Sequence, residues 1–177
     1  MLLQLKDKFG DRVELVTFGC SESALSDLLQ TMRMSGRLGD VRHHGVLDRD
    51  GVARLFGRSD VFLDGSFWQA FGRTGLEAMA AGCVPVLPTG SGSEEYANHG
   101  ANALLVDATE ESSMFAATSS VVSDRALLER LRAAAVETAQ HFDMTQASWT
   151  MLKLLCGAIH GDITPATCRS ATTKRLV

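Results

Sequence analysis

The apolar positions of this chain alternate between two spacings. Short β-like stretches fall at 12–18, 41–46, 60–63, 83–87 and 102–106. Between them apolar residues recur every three or four positions, as in Leu25, Leu28, Leu29 and Met32, or Val52, Leu55 and Phe56. The first pattern predicts strands and the second amphipathic helices. Ser21 and Asp48 stand where helix N-caps are needed. Asp107 and Glu110 have capping-box spacing before a helix to about Val121. Further helical stretches are expected at 2–9, 72–81 (ended by Gly82), 94–98, 124–141 and 145–159, the last with Leu152, Leu155 and Ile159 on one stripe. Gly36 to Gly39 breaks the helix capped by Ser21, and 89–93 is a turn. Strands alternating with helices predict an α/β fold with a parallel sheet and helices on both faces. The unbroken runs Val61-Phe62-Leu63 and Ala103-Leu104-Leu105-Val106 agree, since a parallel sheet is covered on both sides.

Composition narrows the function. The chain has 177 residues, 45% apolar and 21% charged, which excludes global disorder. A net charge of −4 argues against a broad nucleic-acid or anionic-membrane footprint. No apolar run approaches the roughly 20 residues that span a bilayer; the longest, 78–87, is broken by Gly82 and Pro85. The short apolar start runs at once into Lys6, Asp7 and Lys8, which is not a signal-peptide pattern. Cys20, Cys83, Cys156 and Cys168 form no C-x-x-C pair and suit a reducing compartment. Cys20 and Cys83 read as small buried hydrophobes, and Met144 and Met151 as core filler. The histidines lack metal-ligand spacing, so no metal is expected. Residues 1–159 read as one domain and 160–177 as a polar tail.

The chemistry is concentrated in 61–106. A strand ends near Leu63, a loop carries Ser66, Phe67, Trp68 and Gln69, and Phe71-Gly72 leads into a helix. A helix that starts just past the carboxyl end of a parallel strand turns free N–H groups toward the ligand crevice. Gly72 lets a ligand approach the backbone. Glu77, one to two turns in, can accept two hydrogen bonds from vicinal hydroxyls such as those of a ribose. Phosphate at the helix start and a ribose at Glu77 together suggest a nucleotide diphosphate.

This stretch resembles the carboxyl-terminal half of GT-B retaining glycosyltransferases of family 4, group 1. The resemblance rests on Gln69 to Glu77 with its seven-residue gap around Phe71-Gly72. It also rests on Leu76-Glu77-Ala78-Met79-Ala80-Ala81-Gly82, Pro85-Val86, and Gly100-Ala101-Asn102-Ala103-Leu104-Leu105-Val106. It extends over about residues 1–155. It implies a Rossmann-like donor domain that binds a nucleotide-diphosphate sugar, itself the substrate, with no cofactor. Glu77 would hold the ribose. Gln69, Phe71, Gly72, Arg73 and Thr74 would face the sugar and diphosphate, with Arg73 a phosphate contact. The strand end at Gly45-Val46 would lie beside the base, and Ser91-Gly92 with Glu95 would shape the far side of the crevice.

Two departures stand out. Gln69 replaces the family's first Glu, which keeps hydrogen bonding but loses charge. The match also picks up after the family's opening strand and its G-R-x-x-x-x-K-G-like segment. In the strand order 3-2-1-4-5-6 that strand is central. The expectation is a sheet without its first strand, in a truncated piece of a longer enzyme whose amino-terminal acceptor domain has no counterpart here. The resemblance further implies cell-envelope polysaccharide synthesis by a cytoplasmic or membrane-peripheral enzyme, with homo-oligomers open. A second reading is a non-catalytic nucleotide-binding or oligomerisation module. Several residues have plainer readings. Phe67 and Trp68 fit core or rim packing, one of the strand neighbours His43 and His44 a packed or edge histidine, and Arg125, Glu129, Arg130 and Arg132 a solvated helix face with pairing along the helix.

Overall fold

A computed structural model describes residues 2–160 of the chain; the polar tail from Gly161 onward, with Cys168, lies outside the described residues. Among the described residues there are seven α-helices and five short strands. Helix α1 (Leu2–Phe9) precedes β1 (Leu15–Thr17), α2 (Glu22–Thr31), β2 (Val41–His43) and α3 (Arg49–Phe56). Then come β3 (Val61–Leu63), α4 (Arg73–Ala80), β4 (Val84–Pro88) and β5 (Leu104–Val106), followed by α5 (Glu111–Ser123), α6 (Arg125–Gln140) and α7 (Met144–His160).

Local chemistry starts the helices where the sequence asks for it in two cases. The Ser21 hydroxyl accepts from the Ala24 N–H at 3.2 Å, and the Asp48 carboxylate from the Gly51 N–H at 2.7 Å. The capping box at Asp107 does not form. Its carboxylate is taken by the N–H and hydroxyl of Thr109 in a tight turn, so α5 starts three residues later with Glu110 as an N-cap that makes no side-chain bond.

All strand pairings are parallel, but the strands form two sheets, β1–β2 and β3–β4–β5. With β1 beside β2 and β3 leading the second sheet, the break falls where the order 3-2-1-4-5-6 would put its first strand. The expected α/β fold of parallel strands flanked by helices is what the structure shows, with its strands in two sheets among the described residues. Every residue of β4 is buried, whereas those of β3 are only half-buried. β4 carries two prolines, which cannot donate to a ladder. Pro85 pairs in register with Phe62, before the β5 ladder begins at Val86, and Pro88 lies beyond the β3 ladder, which ends at Val86. Neither costs a bond.

The helices cover both faces. Leu5 and Phe9 of α1 pack with Leu15, Leu63, Phe115 and Val122 on one side. On the other, Phe56 of α3 meets Phe18 and Phe62 edge-on at 5.8 and 5.3 Å, and packs with Ala78 and Cys83. The main core joins Val84, Val86, Leu104 and Val106 to Val121, Leu128 and Leu131. Arg132 is not the solvated helix charge its pattern suggests. It is three-quarters buried, donates to the Gly82 carbonyl at 2.9 Å and pairs with Asp60 and Glu129, tying α6 to the starts of β3 and β4. Arg125–Glu129 is the surface pair expected, at 2.5 Å.

The chain divides into two units at Thr138/Ala139. In the second unit α7 leaves Met151, Leu154 and Leu155 exposed, so Met151 is not core filler. The side chains of Met144 and Ile159 lie outside the described residues. Among the described residues no helix is long and apolar enough to cross a membrane.

Candidate functional site

The site is built on the loop between β3 and α4. Asp64, buried at the end of β3, is its anchor. One Asp64 oxygen accepts from the Ser66 N–H at 2.9 Å and from the Ser66 hydroxyl at 2.5 Å. The Ser66 oxygen in turn accepts from the Gln69 amide at 2.7 Å. This chain of bonds fills the inner side of the loop with polar groups. Phe67 and Trp68 are therefore turned outward, 75% and 65% exposed, so of the core or rim packing their type suggested, core packing is not what they do.

Gly72 ends the loop at φ +74, the left-handed region where a side chain is strained, and serves as the N-cap of α4 without a side-chain bond. The first N–H groups of α4, those of Arg73 and Thr74, precede the first intrahelical donors, Gly75 and Leu76, which bond the Gly72 carbonyl. They carry the positive end of the helix dipole. Arg73 lies at that same end, where its charge opposes the dipole, and its Nε pairs with Glu77 at 3.1 Å one turn on. Glu77 is about two-thirds covered and Arg73 largely exposed. Sequence reasoning expected both residues on this helix start. The ion pair between them follows from their four-residue spacing.

The turn after β4 packs on this loop. The Gly92 N–H donates to the Gln69 carbonyl at 2.8 Å. Tyr96 donates from its hydroxyl to the Gly72 carbonyl at 2.5 Å, and its ring meets Phe71 at 5.5 Å. Tyr96 escaped the sequence reading. The available signal was that it is the only tyrosine of the chain, one residue past the candidate Glu95. Glu95 itself is exposed at the end of that turn, beside the glutamate that secures it, Glu94, whose carboxylate accepts from the Gly90 N–H at 2.7 Å. Val46 lies apart from this group, 77% exposed just past β2 on the other sheet. His43 is a packed histidine: its Nδ1 lies 2.9 Å from the Thr17 hydroxyl and its Nε2 2.9 Å from the Cys20 carbonyl. Among the described residues no cluster of His, Cys, Asp or Glu could hold a metal ion.

Burial, reinforced by the Asp64 charge and opposed by the Leu76 N–H, pushes the Tyr96 hydroxyl up to about 12. Burial also pushes the Cys83 thiol up to about 12, against the Arg132 charge. Both groups hold their protons more tightly when folded than when unfolded. Their contribution to stability is therefore complete below the unfolded values, 9 for the thiol and 10 for the phenol, and is lost as pH rises toward 12. Stability is expected to fall from pH 9 upward, by at most about 1.4 kcal/mol per pH unit for each group, and melting temperature with it. In thermal melts Cys83→Ala should flatten the curve between 9 and 10, and an unchanged slope there would contradict the assignment.

Residues 2–138 match the family described as glycosyl transferases group 1. The chain belongs to that family. Its fold is also similar to that of Anabaena HepE, solved in complex with UDP and glucose. That match has a TM-score of 0.77 at 20% identity, over 88% of this chain and 44% of HepE. Sucrose-phosphate synthase from Thermosynechococcus elongatus gives 0.73 at 20% identity, over 84% and 39%. The C-terminal domain of the group 1 protein LpcC from Francisella tularensis gives 0.59 at 18% identity, over 68% and 63%. The chain thus spans about two-fifths of the first two proteins. No curated protein matches it in sequence.

Proposed function

We propose that this chain is the donor-binding half of a retaining glycosyltransferase and takes a nucleotide-diphosphate sugar as substrate. The observation that carries the proposal is the start of α4. Free N–H groups at a left-handed glycine lie one turn from a carboxylate that is about two-thirds covered, Glu77, within a family of glycosyl transferases. In this reading the diphosphate sits at the N–H groups of Arg73 and Thr74, and Glu77 accepts from the ribose hydroxyls. The anion offsets the unfavourable meeting of Arg73 with the helix dipole, and Arg73 turns from Glu77 to the phosphate. The N–H groups and the guanidinium then stabilise charge on the departing diphosphate, a preorganised electrostatic contribution. Gln69 spends its amide N–H on Ser66, which leaves its carbonyl oxygen to accept from a sugar hydroxyl. UDP bound by HepE supports a pyrimidine nucleotide as the first ligand to try.

The acceptor domain, the transfer itself, a role in cell-envelope glycan synthesis and a cytoplasmic or membrane-peripheral site belong to the longer enzyme of which we take this chain to be a piece. Gln69 in place of the family's Glu, together with the divided sheet, favours one alternative, a module that binds nucleotide without turnover.

Calorimetric titration with UDP, GDP and dTDP tests the reading. Glu77→Ala should weaken the preferred nucleotide by about 1–3 kcal/mol, up to roughly a hundredfold. Arg73→Gln should weaken UDP about tenfold while leaving uridine unchanged, because only the diphosphate meets the guanidinium. A folded chain that binds none of the three nucleotides would sink the donor-site reading.

A further inference from the structure

Among the described residues Asp64 is the only buried acidic side chain, and no cation pairs with it. A carboxylate taken out of water needs hydrogen-bond donors. Asp64 finds both of its donors in one residue, the N–H and the hydroxyl of Ser66. A serine hydroxyl has a single proton. With that proton on Asp64, the Ser66 oxygen can only accept. The corner of the Gln69 amide that meets it at 2.7 Å is therefore the nitrogen. The other corner, the side-chain oxygen of Gln69, bonds nothing among the described residues. Main-chain bonds hold both ends of this relay. The Asp64 N–H donates to the Val86 carbonyl at 3.0 Å, and the Gln69 main-chain carbonyl accepts from the Gly92 N–H at 2.8 Å. Asp64, Ser66, Gln69 and Thr74 line one cavity, so the relay and the first turn of α4 border the same space.

We infer that Asp64 and Ser66 are positioning residues that commit the Gln69 side-chain oxygen to accept from a hydroxyl of an uncharged donor sugar. The inference rests on the donor-site reading. A free glutamine amide suits a donor or an acceptor, because it can turn over. Here, turning over would set the Gln69 oxygen against the Ser66 oxygen, two acceptors in contact. The clash is relieved only if the Ser66 proton leaves Asp64, and a buried carboxylate loses much by giving up a hydrogen bond. The charge on Asp64 thus orients a side chain that it does not touch. The same charge selects the class of sugar. With no cation beside it, it remains a net negative charge inside the loop. Its reach extends to Tyr96, whose proton is held first by burial and then by Asp64, and whose hydroxyl bonds the Gly72 carbonyl at the start of α4. A uronate would bring a second negative charge into this field, and like charges brought together disfavour a ligand. A neutral hexose supplies the O–H donor that the Gln69 oxygen requires.

Side-chain amide NMR reads the relay without any nucleotide. The bonded Nε2 proton of Gln69 should exchange about tenfold more slowly than those of the exposed Gln4. Ser66→Ala and Asp64→Ala should each remove that difference, and Ser66→Thr, which keeps a hydroxyl, should retain it. Calorimetry with UDP, UDP-glucose, UDP-galactose and UDP-glucuronate reads the consequence. The chain should bind at least one of the two neutral sugar nucleotides about tenfold more tightly than UDP, and UDP-glucuronate no more tightly than UDP. Ser66→Ala should cancel the preference for the neutral sugar and Ser66→Thr should restore it. Asp64→Ala, but not Ser66→Ala, should strengthen UDP-glucuronate. A Gln69 amide that does not respond to Ser66→Ala overturns the relay. So does an equal loss of UDP and of the neutral sugar nucleotide in that variant, which would mean a damaged loop and not a lost orientation. A chain that binds neither neutral sugar nucleotide more tightly than UDP overturns the commitment to a sugar hydroxyl. Unchanged UDP-glucuronate affinity in Asp64→Ala overturns the role of the charge. Failure of the donor-site reading looks different: UDP itself does not bind, while the Gln69 amide stays protected.

Discussion

Gly92→Ala is expected to cost about 3 kcal/mol of stability and to abolish nucleotide binding. A Cβ built on Gly92 lies 1.8 Å from the Ala70 carbonyl oxygen, 2.4 Å from the Ala70 carbonyl carbon and 2.9 Å from the Phe71 nitrogen. All three are main-chain atoms, so no side-chain rotation relieves the clash. Either the turn after β4 or the loop before α4 must move, and overpacking of this kind usually costs about 1–3 kcal/mol or more. The move also breaks the Gly92 N–H bond to the Gln69 carbonyl and disturbs Phe71 and Gly72, the residues that set the start of α4. Urea denaturation and UDP titration on the same sample read both effects. Lost stability with unchanged UDP affinity would show that the loop moves without reaching the ligand. Wild-type values in both would mean that the turn and the loop are not in contact in solution.

The parts of this molecule that the sequence made legible are those governed by near neighbours along the chain. The caps at Ser21 and Asp48, the helix after Gly72 and the five parallel strands each depend on spacing or on one residue's chemistry. The capping box at Asp107 misled because two local partners competed for one carboxylate, and Thr109, two residues away, is nearer than the helix. Long-range roles were invisible for a different reason. Arg132 bonds Asp60 across 72 positions, and Tyr96 bonds Gly72 across 24, so no periodicity encodes either. Phe67 and Trp68 carried an apolar signal that the Asp64–Ser66–Gln69 bonds overrode, since the polar chain occupies the interior of the loop. Within the candidate site the split is the same. Glu77, Arg73 and Gly72 were legible from motif spacing, whereas the clamp that positions them comes from the turn around Gly92 and Tyr96.

Leu87→Ala should be the other large loss, about 2–5 kcal/mol, because Leu87 is wholly buried in β4, the middle strand of its sheet. Its consequence for the site runs through Gly75. A Cβ on Gly75 would come within 2.9 Å of one Leu87 methyl and 2.6 Å of the Tyr96 hydroxyl, so α4 lies against both side chains with no room to spare. Truncating Leu87 therefore removes the surface on which the first turn of α4 rests and opens a cavity directly beneath it. Nucleotide affinity should fall along with stability. Gly75→Ala alone should destabilise by pressing on Leu87 and displacing Tyr96 from the Gly72 carbonyl. In the Leu87→Ala background the same methyl fills part of the vacated space, so the two changes together should cost clearly less than their sum, by about 0.5–3 kcal/mol. A double-mutant cycle by denaturant unfolding measures that coupling. Strict additivity would mean that α4 is not seated on Leu87, and the rigid helix start on which phosphate binding depends would need another support.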